Sequence, residues 1–220
     1  MKPQEIEARS MEIIGEEMKK RGMGGWTPEE LAVVKRCIHT SADFDYGENL
    51  VFSPDAVLKG IQALKEGVTI VTDTNMAAAG INKASAGKLG VQVRCFMADE
   101  DVAQEAKMRQ ITRAAVSMER CAALKEPVII ACGNAPTALM RLKELADSGR
   151  FTKDQLRLII GAPVGFVNVV EAKEDILDMD VPYIVARGRK GGSNIAAAIC
   201  NAMLYQCARY TAELLLNIRY

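Results

Sequence analysis

The chain has 220 residues, of which 49% are hydrophobic and 25% charged, with 28 Lys plus Arg balanced by 28 Asp plus Glu. Such a composition is that of an ordinary globular domain and excludes a mainly disordered, collagen-like or coiled-coil chain. Zero formal net charge argues against a duplex-DNA binder that works by bulk positive potential, while leaving room for a local basic pocket.

The first 40 residues predict about two helices, the second opened by Thr27-Pro28-Glu29-Glu30, a capping-box start. A further helix is expected from Ser53-Pro54-Asp55, with Ser53 as cap, Pro54 in the first position and Val57, Ile61 and Leu64 on one side. Five short, nearly continuous apolar runs read as strands buried on both faces: Val68 to Thr72, Val91 to Met97, Val128 to Cys132, Leu156 to Gly161 and Val181 to Ala186. Between them lie helical spacings over Asp99 to Leu124, Ala135 to Leu145 and Ser193 to Leu216, the last with Ile195, Ile199, Met203, Tyr210 and Leu214 near one stripe. Alternating strands and helices define the expected fold class. It is α/β, a single-domain doubly wound, mainly parallel sheet of about five strands with helices on both faces. No linker or internal repeat divides it, so residues 1–220 read as one domain.

The six cysteines (Cys37, Cys95, Cys121, Cys132, Cys200 and Cys207) form no C-x-x-C pair, and a chain with a full core needs no disulfide staples. Free thiols in a reducing cytoplasm are the expectation. Glu5, Glu7, Glu12, Glu16 and Glu17 stand where a signal peptide needs an apolar run, and no stretch approaches the roughly 18 apolar residues of a membrane span.

Four of the five predicted strands end in clusters of small and polar residues: Thr72-Asp73-Thr74-Asn75, Gly133-Asn134-Ala135-Pro136-Thr137, Gly161-Ala162-Pro163-Val164-Gly165-Phe166, and Arg187-Gly188-Arg189-Lys190-Gly191-Gly192-Ser193. Any one of these reads as an ordinary turn. Together they mark the strand carboxyl ends, where open parallel sheets bind ligands. The Gly188–Ser193 segment, followed by a helix start, suits a phosphate or carboxylate. It is neither a Walker A loop nor a G-x-G-x-x-G fingerprint. His39, the single histidine, is a side chain with an unperturbed pKa near ~6.5 and hence a candidate for proton transfer. Asp43 and Asp45 follow closely; they read either as partners of the imidazole or as backbone caps. One His without C-x-x-C or H-E-x-x-H makes zinc a poor reading. Arg113 reads as a solvated charge or as a bidentate carboxylate clamp, and Glu171-Ala172-Lys173-Glu174 as a solvated helix face.

The ordered set His39-Thr40-Ser41-Ala42-Asp43-Phe44-Asp45-Tyr46, Thr72-Asp73 with Met76 and Ala79-Gly80-Ile81, Thr112-Arg113, Gly133 to Leu139, Pro163 to Val167 and Gly188 to Ser193 resembles the precorrin-8X methylmutase family, cobalt-precorrin-8 counterparts included. The resemblance covers nearly the whole chain. Two positions depart from the family pattern: Glu171-Ala172-Lys173 stands where Glu-Ser-Lys is expected, so Ala172 replaces a Ser, and Asn168 stands where a Gly is expected. The resemblance implies an isomerase of vitamin B12 biosynthesis that moves a methyl group from carbon 11 to carbon 12 of a contracted tetrapyrrole, giving hydrogenobyrinate or cobyrinate. It also implies homodimers with sites near the subunit interface and no cofactor consumed, while the charge balance and the lack of a spanning apolar run argue against nucleic acid or membrane as partner. His39 is then the catalytic general acid. The polycarboxylate substrate would be held by Thr40, Ser41, Asp43, Thr72, Asp73 and Arg113, by Asn134, Ala135 and Thr137, by Val164, Gly165 and Phe166, and by Lys190, Gly191, Gly192 and Ser193. Two other readings use the same features: a tetrapyrrole carrier without catalysis, and a phosphate or nucleotide enzyme built on the Gly188–Ser193 loop.

Overall fold

Along the predicted strands successive side chains are buried on opposite faces, which assigns them to one of two cores. Ile70, Ile129, Ala131, Leu158, Ile160 and Ile184 belong to one core; Val71, Val128, Ile130, Cys132, Ile159 and Val185 belong to the other. Period-two alternation of this kind, with both faces apolar, requires helices on both sides of the sheet. The computed structural model describes residues 3–217, and side chains over 5–208. The chain order is α1 (Pro3–Lys20), α2 (Pro28–Ser41), α3 (Tyr46–Asn49), β1 (Leu50–Phe52), α4 (Ala56–Lys65), β2 (Thr69–Thr72), α5 (Asn75–Gly80), α6 (Lys83–Lys88), β3 (Gln92–Arg94), α7 (Glu100–Arg109), α8 (Arg113–Ala123), β4 (Val128–Cys132), α9 (Pro136–Asp147), β5 (Leu156–Gly161), α10 (Val169–Leu177), β6 (Tyr183–Ala186) and α11 (Ser193–Asn217).

The sheet order is β1-β6-β5-β4-β2-β3, parallel throughout except for β1, which runs antiparallel to β6. The doubly wound class stands, with six strands in place of about five. The extra strand is β1, three residues long at the sheet edge. The chain leaves β2 toward β3 on one side and returns to β4 on the other, so the winding direction reverses between β2 and β4. Such a switch point opens a crevice beyond the strand carboxyl ends.

Several local expectations are corrected. Ser53 does not cap α4, which begins at Ala56 after Asp55 in the left-handed region. Ser53 instead extends the edge pairing: its N–H donates to the Tyr183 carbonyl at 3.0 Å and its Oγ accepts the Tyr183 N–H at 2.9 Å. The Val91–Met97 run shortens to Gln92–Arg94, whose Gln92 and Arg94 are exposed because β3 is an edge strand rather than one buried on both faces. The Asp99–Leu124 stretch splits into α7 and α8, since Gln110 adopts a left-handed conformation and Thr112 starts a new helix by accepting the Ala115 N–H at 3.1 Å. The Thr27 start is seen as read: Thr27 Oγ1 accepts from Glu30 N–H at 3.2 Å and Glu30 Oε2 accepts from Thr27 N–H at 3.0 Å. Of the stripe on α11, Ile195, Ile199 and Met203 are buried, while the Tyr210 and Leu214 side chains lie outside the described residues. None of the six cysteines is paired. Among the described residues no helix is long and apolar enough to cross a membrane.

Helices α7, α8 and α9 are tied together by Glu119. The Arg109 fork donates to both of its oxygens at 2.7 and 2.9 Å, and Arg141 Nε donates to Oε1 at 2.9 Å. This bidentate pairing holds the Glu119 carboxyl down at about 2, below the usual 4.5. Because the folded value is lowered, the stabilisation is fully present above the unfolded value and disappears as pH falls toward 2. Glu119→Gln is therefore expected to lose about 1–2 kcal/mol at neutral pH, with the deficit against the parent protein vanishing near pH 2. Urea unfolding of both proteins from neutral pH downward checks this; a deficit constant across pH would show that the charge is not responsible.

Candidate active site

β2 ends in Thr72 and Asp73, both buried. Thr72 Oγ1 donates to the Thr74 carbonyl at 2.9 Å. Asp73 Oδ1 accepts the Gly133 N–H at 2.8 Å, and Oδ2 accepts those of Asn134 and Ala135 at 2.7 Å each. The Cys132 thiol also donates to Oδ2, at 3.3 Å. Burial first, and this carboxylate second, push the thiol well above its usual range. Asp73 thus folds the β4 loop around itself from beneath, across the switch point.

Above it, loops approach so closely that only backbone fits. A Cβ on Gly133 would lie 2.6 Å from Ser193 Cα and 2.8 Å from the Gly192 carbonyl oxygen, and one on Gly191 would run into the carbonyls of Ala162 and Pro163. The Gly192 N–H donates to the Ala162 carbonyl at 2.8 Å, and the hydroxyls of Thr74 and Ser193 share a hydrogen bond of 2.7 Å. The ends of β2, β4, β5 and β6 are in this way sewn into one surface.

The border of that surface is the carboxyl end of α2. His39 is exposed in its last turn, with Nδ1 2.8 Å from Ser10 Oγ of α1. When Ser10 donates to Nδ1, the proton of the neutral ring sits on Nε2, which has no hydrogen-bond partner among the described residues. Asp43 and Asp45 do not hold the imidazole. Both accept hydrogen bonds from Lys190 Nζ, at 2.6 and 2.5 Å, and Asp43 Oδ1 also accepts the Asp45 N–H at 3.0 Å. The Lys190 hydrogen bond holds the Asp43 carboxyl below its usual range, and the two carboxylates raise the ammonium in turn. The Asp pair is thereby answered by a side-chain cation, and no group of three His, Cys, Asp or Glu suited to a metal occurs among the described residues. Ser41 Oγ accepts the Asp43 N–H at 3.2 Å, and Thr40 borders a cleft of about 240 Å³ shared with Arg36, Gly80, Asn194, Asn201 and Tyr205.

At the far border, Thr112 Oγ1 donates to Thr137 Oγ1 at 3.0 Å, bringing the start of α8 against the start of α9. Arg113 is exposed at that helix start, and its guanidinium has no ion pair among the described residues. Phe166 is 80% exposed, with the Arg189 guanidinium 5.4 Å from its ring centroid; Val164 and Met76 are exposed beside the same loop ends. Hydrogen bonds, close approaches and backbone neighbours form a line through many of the residues singled out in the sequence, with Val164, Gly165 and Phe166 off it and the His39 and Arg113 side chains joined to it only along the backbone. It runs from the His39–Asp45 turn through Lys190, Gly192, Ser193 and Thr74 to Asp73, and on through Gly133 and Ala135 to Thr137, Thr112 and Arg113.

Lys173 corrects the expected solvated face: its side chain is fully buried under the Gly188–Lys190 loop. Glu174 beside it pairs across elements with Arg187, just after β6, at 2.6 Å. Ser10 and the Asp73-bound Cys132 fall in no motif of the sequence, whereas Lys173 closes the Glu171-Ala172-Lys173 segment that stands where the family pattern has Glu-Ser-Lys. Lys173 is flanked by Ala172 and Ile176, both buried, a spacing on the inner face of α10 that the charged run Glu171–Glu174 masks in the sequence.

A small doubly wound α/β protein whose strand carboxyl ends are joined by glycine-shaped loops, with a lone histidine at their border and no nucleotide fingerprint, defines the class: an α/β enzyme with its candidate site at the strand ends. The precorrin-8X methylmutase family profile matches residues 5–206, and the chain belongs to that family. The cobalt-precorrin-8 methylmutase of Priestia megaterium is 41% identical over 203 residues, covering 92% of this chain and 88% of that one. The precorrin-8X methylmutase of Pseudomonas aeruginosa is 39% identical over 177 residues, covering 80% and 82%. The crystal structure of the Thermus thermophilus precorrin-8X methylmutase superposes with a TM-score of 0.83 at 36% identity, over 93% of this chain and 98% of that one. The protein is an isomerase of cobalamin biosynthesis that moves a methyl group within its substrate. Neither the carrier nor the nucleotide-enzyme reading is favoured.

Proposed function

We propose that the substrate is precorrin-8X or its cobalt-carrying form and that the methyl group passes from carbon 11 to carbon 12 of the ring, giving hydrogenobyrinate or cobyrinate. The observation that carries this reading is the rim itself. His39 is anchored through Nδ1 by Ser10 and leaves Nε2 open, beside a surface whose Arg113 and Arg189 have no carboxylate partner among the described residues. Protonating a ring nitrogen from His39 Nε2 prepares the conjugated system. The methyl then migrates with its bonding electron pair, and the proton returns to the imidazole, so the atoms of substrate and product are the same. The substrate's carboxylates favour the imidazolium form that donates. Arg113 takes an acetate or propionate arm through its planar fork. Phe166 and Val164 offer apolar surface to the ring plane. Asp73 and Thr72 act from below by shaping the loops, and Lys190 fixes the β6 loop to the Asp43–Asp45 turn. We further propose that residues 1–220 form one domain, that the enzyme works in the cytoplasm, and that it is a homodimer. The exposed Met76, Phe166 and Val167 support the last point.

The test is direct. Hydrogenobyrinic acid and cobyrinic acid are each mixed with the protein and passed through a desalting column; a coloured, stoichiometric protein fraction is expected, and the form retained identifies the route. Colourless fractions with both, together with no turnover of authentic precorrin-8X, would overturn the reading. Arg113→Ala is expected to weaken product binding about tenfold, the value of a charge-assisted bidentate pair, with little change in the rate of bound substrate. Unchanged affinity would remove the clamp role.

A further inference from the structure

A fully buried lysine without a carboxylate partner is rare, because taking an ammonium out of water costs several kcal/mol unless it is well hydrogen-bonded. Lys173 is such a residue. Its Nζ donates to the carbonyls of Gly188 and Lys190, each at 2.8 Å, from beneath the β6–α11 loop. In a trans peptide unit the carbonyl and the next residue's N–H point in opposite directions, and no peptide bond among the described residues is cis. The two inward carbonyls therefore turn the N–H groups of Arg189 and Gly191 outward. Neither of those N–H groups has an acceptor among the described residues. Gly188, at φ 73°, and Gly192, at φ 136°, supply the left-handed backbone such a loop needs. Two unanswered backbone donors on the outer side of one glycine-rich loop are each free to receive a carboxylate oxygen, and here a cation stands behind them.

We infer that Lys173 is a positioning residue for the methylmutase reaction: it holds the peptide units 188–189 and 190–191 so that their N–H groups face outward to receive the carboxylates of the substrate. The inference rests on the tetrapyrrole reading above. The ammonium adds a second effect, because its charge lies on the far side of the same two peptide dipoles and reinforces them toward an anion.

Burial brings Lys173 down from the ordinary 10.5 to about 8. The ionisable and charged groups around it are Cys132 on β4 with Asp73 behind it on β2, Glu174 on its own helix paired with Arg187, and Lys190 paired with Asp43 and Asp45. Burial holds the Cys132 thiol far up, and the basic partners hold Glu174 and Asp43 down. Lys173 is thus the member of this group that changes charge between about pH 7 and 9.5. The neutral amine keeps two N–H donors for the two carbonyls, so raising the pH removes the charge and leaves the positioning.

The experiment is a visible-absorbance titration with cobyrinic acid of the parent protein, Lys173→Met and Lys173→Arg from pH 7 to 9.5, with thermal unfolding measured alongside. At pH 7 the parent is expected to bind about tenfold or more tightly than Lys173→Met. That advantage should shrink several-fold by pH 9.5. Over the same range the stability of the parent relative to Lys173→Met should rise, because the folded state has already shed a proton that the unfolded state still holds. A residue that merely supports the fold would move both differences together. Lys173→Arg keeps a fixed charge and should hold its affinity constant across that range, which also serves if Lys173→Met does not fold. Equal affinities of parent and Lys173→Met at pH 7, or a parent affinity as flat with pH as that of Lys173→Arg, would overturn the inference. Failure of the parent itself to bind cobyrinic or hydrogenobyrinic acid would instead count against the tetrapyrrole reading.

Discussion

His39→Ala is expected to lower turnover of the tetrapyrrole by about 10² to 10⁴, the contribution of a positioned general acid, while the protein keeps its fold. The two halves of that expectation come from the same geometry. His39 is exposed on the last turn of α2, and its one side-chain bond among the described residues is to Ser10, so its removal leaves no cavity and no buried orphan. The stability change should stay within about 0.5 kcal/mol, as for an ordinary surface substitution. The binding surface, built by Arg113 and the sewn loops, is untouched, so product affinity should also remain close to that of the parent. Ser10→Ala is the accompanying control. It leaves the imidazole in place and frees its orientation, so a drop of about tenfold is expected, well short of the His39→Ala effect. Single-turnover absorbance at matched saturation, with melting curves alongside, settles the matter. Near-wild-type turnover of a folded His39→Ala protein removes the acid assignment.

How much of this was legible beforehand depends on the range of the force involved. Five strands and the long helices are visible in the sequence because apolar periodicity is local and strong: Val128–Cys132 and Leu156–Gly161 occupy the predicted positions, and Gln92–Arg94 lies within its predicted run. The strand β1 was not visible. It is three residues long, and it exists because β6 offers it an antiparallel edge, which no local pattern encodes. Ser53-Pro54 carries a helix-start signature, yet Ser53 is taken by the same edge pairing. The departure at Asn168 becomes intelligible only with its dihedral. At φ 57° it occupies a left-handed position that a Gly takes freely and an Asn tolerates, so the change keeps the turn. The Ala172 departure sits in the core beside Ile176, where losing a hydroxyl leaves nothing unpaired among the described residues. The histidine and glycine loops carried the site in the sequence. What lay beneath them did not show. Asp73 reads in the sequence as a substrate contact and Lys173 as part of a solvated face, yet both turn inward to hold backbone groups brought near by the fold, a role that charge in a sequence does not signal.

Asp73→Asn puts that hidden layer to a test, and its expected effect falls on stability. The carboxylate presents only acceptors to three N–H groups and a thiol, one N–H on Oδ1 and the rest on Oδ2. An amide has one oxygen. If it takes the Oδ2 position, its NH₂ faces the Gly133 N–H, donor against donor. Flipped, it faces the N–H groups of Asn134 and Ala135 at once. Either way at least one buried donor is orphaned and the charge assistance is lost, which together cost about 3 kcal/mol. For a chain of this size that is a fall of about 6–12 °C in melting temperature. Asp73→Ala should fall further, since every one of these donors is then left without its carboxylate. The damage should also reach the crevice, because Gly133 is held against Ser193 with no room to shift. Weaker product binding at a temperature where the variant remains folded is therefore expected as well. A variant that melts within about 1–2 °C of the parent and binds product normally would mean that the β4 loop holds its shape without Asp73. The surface above it would then owe its form to the glycine contacts with the β6 loop alone.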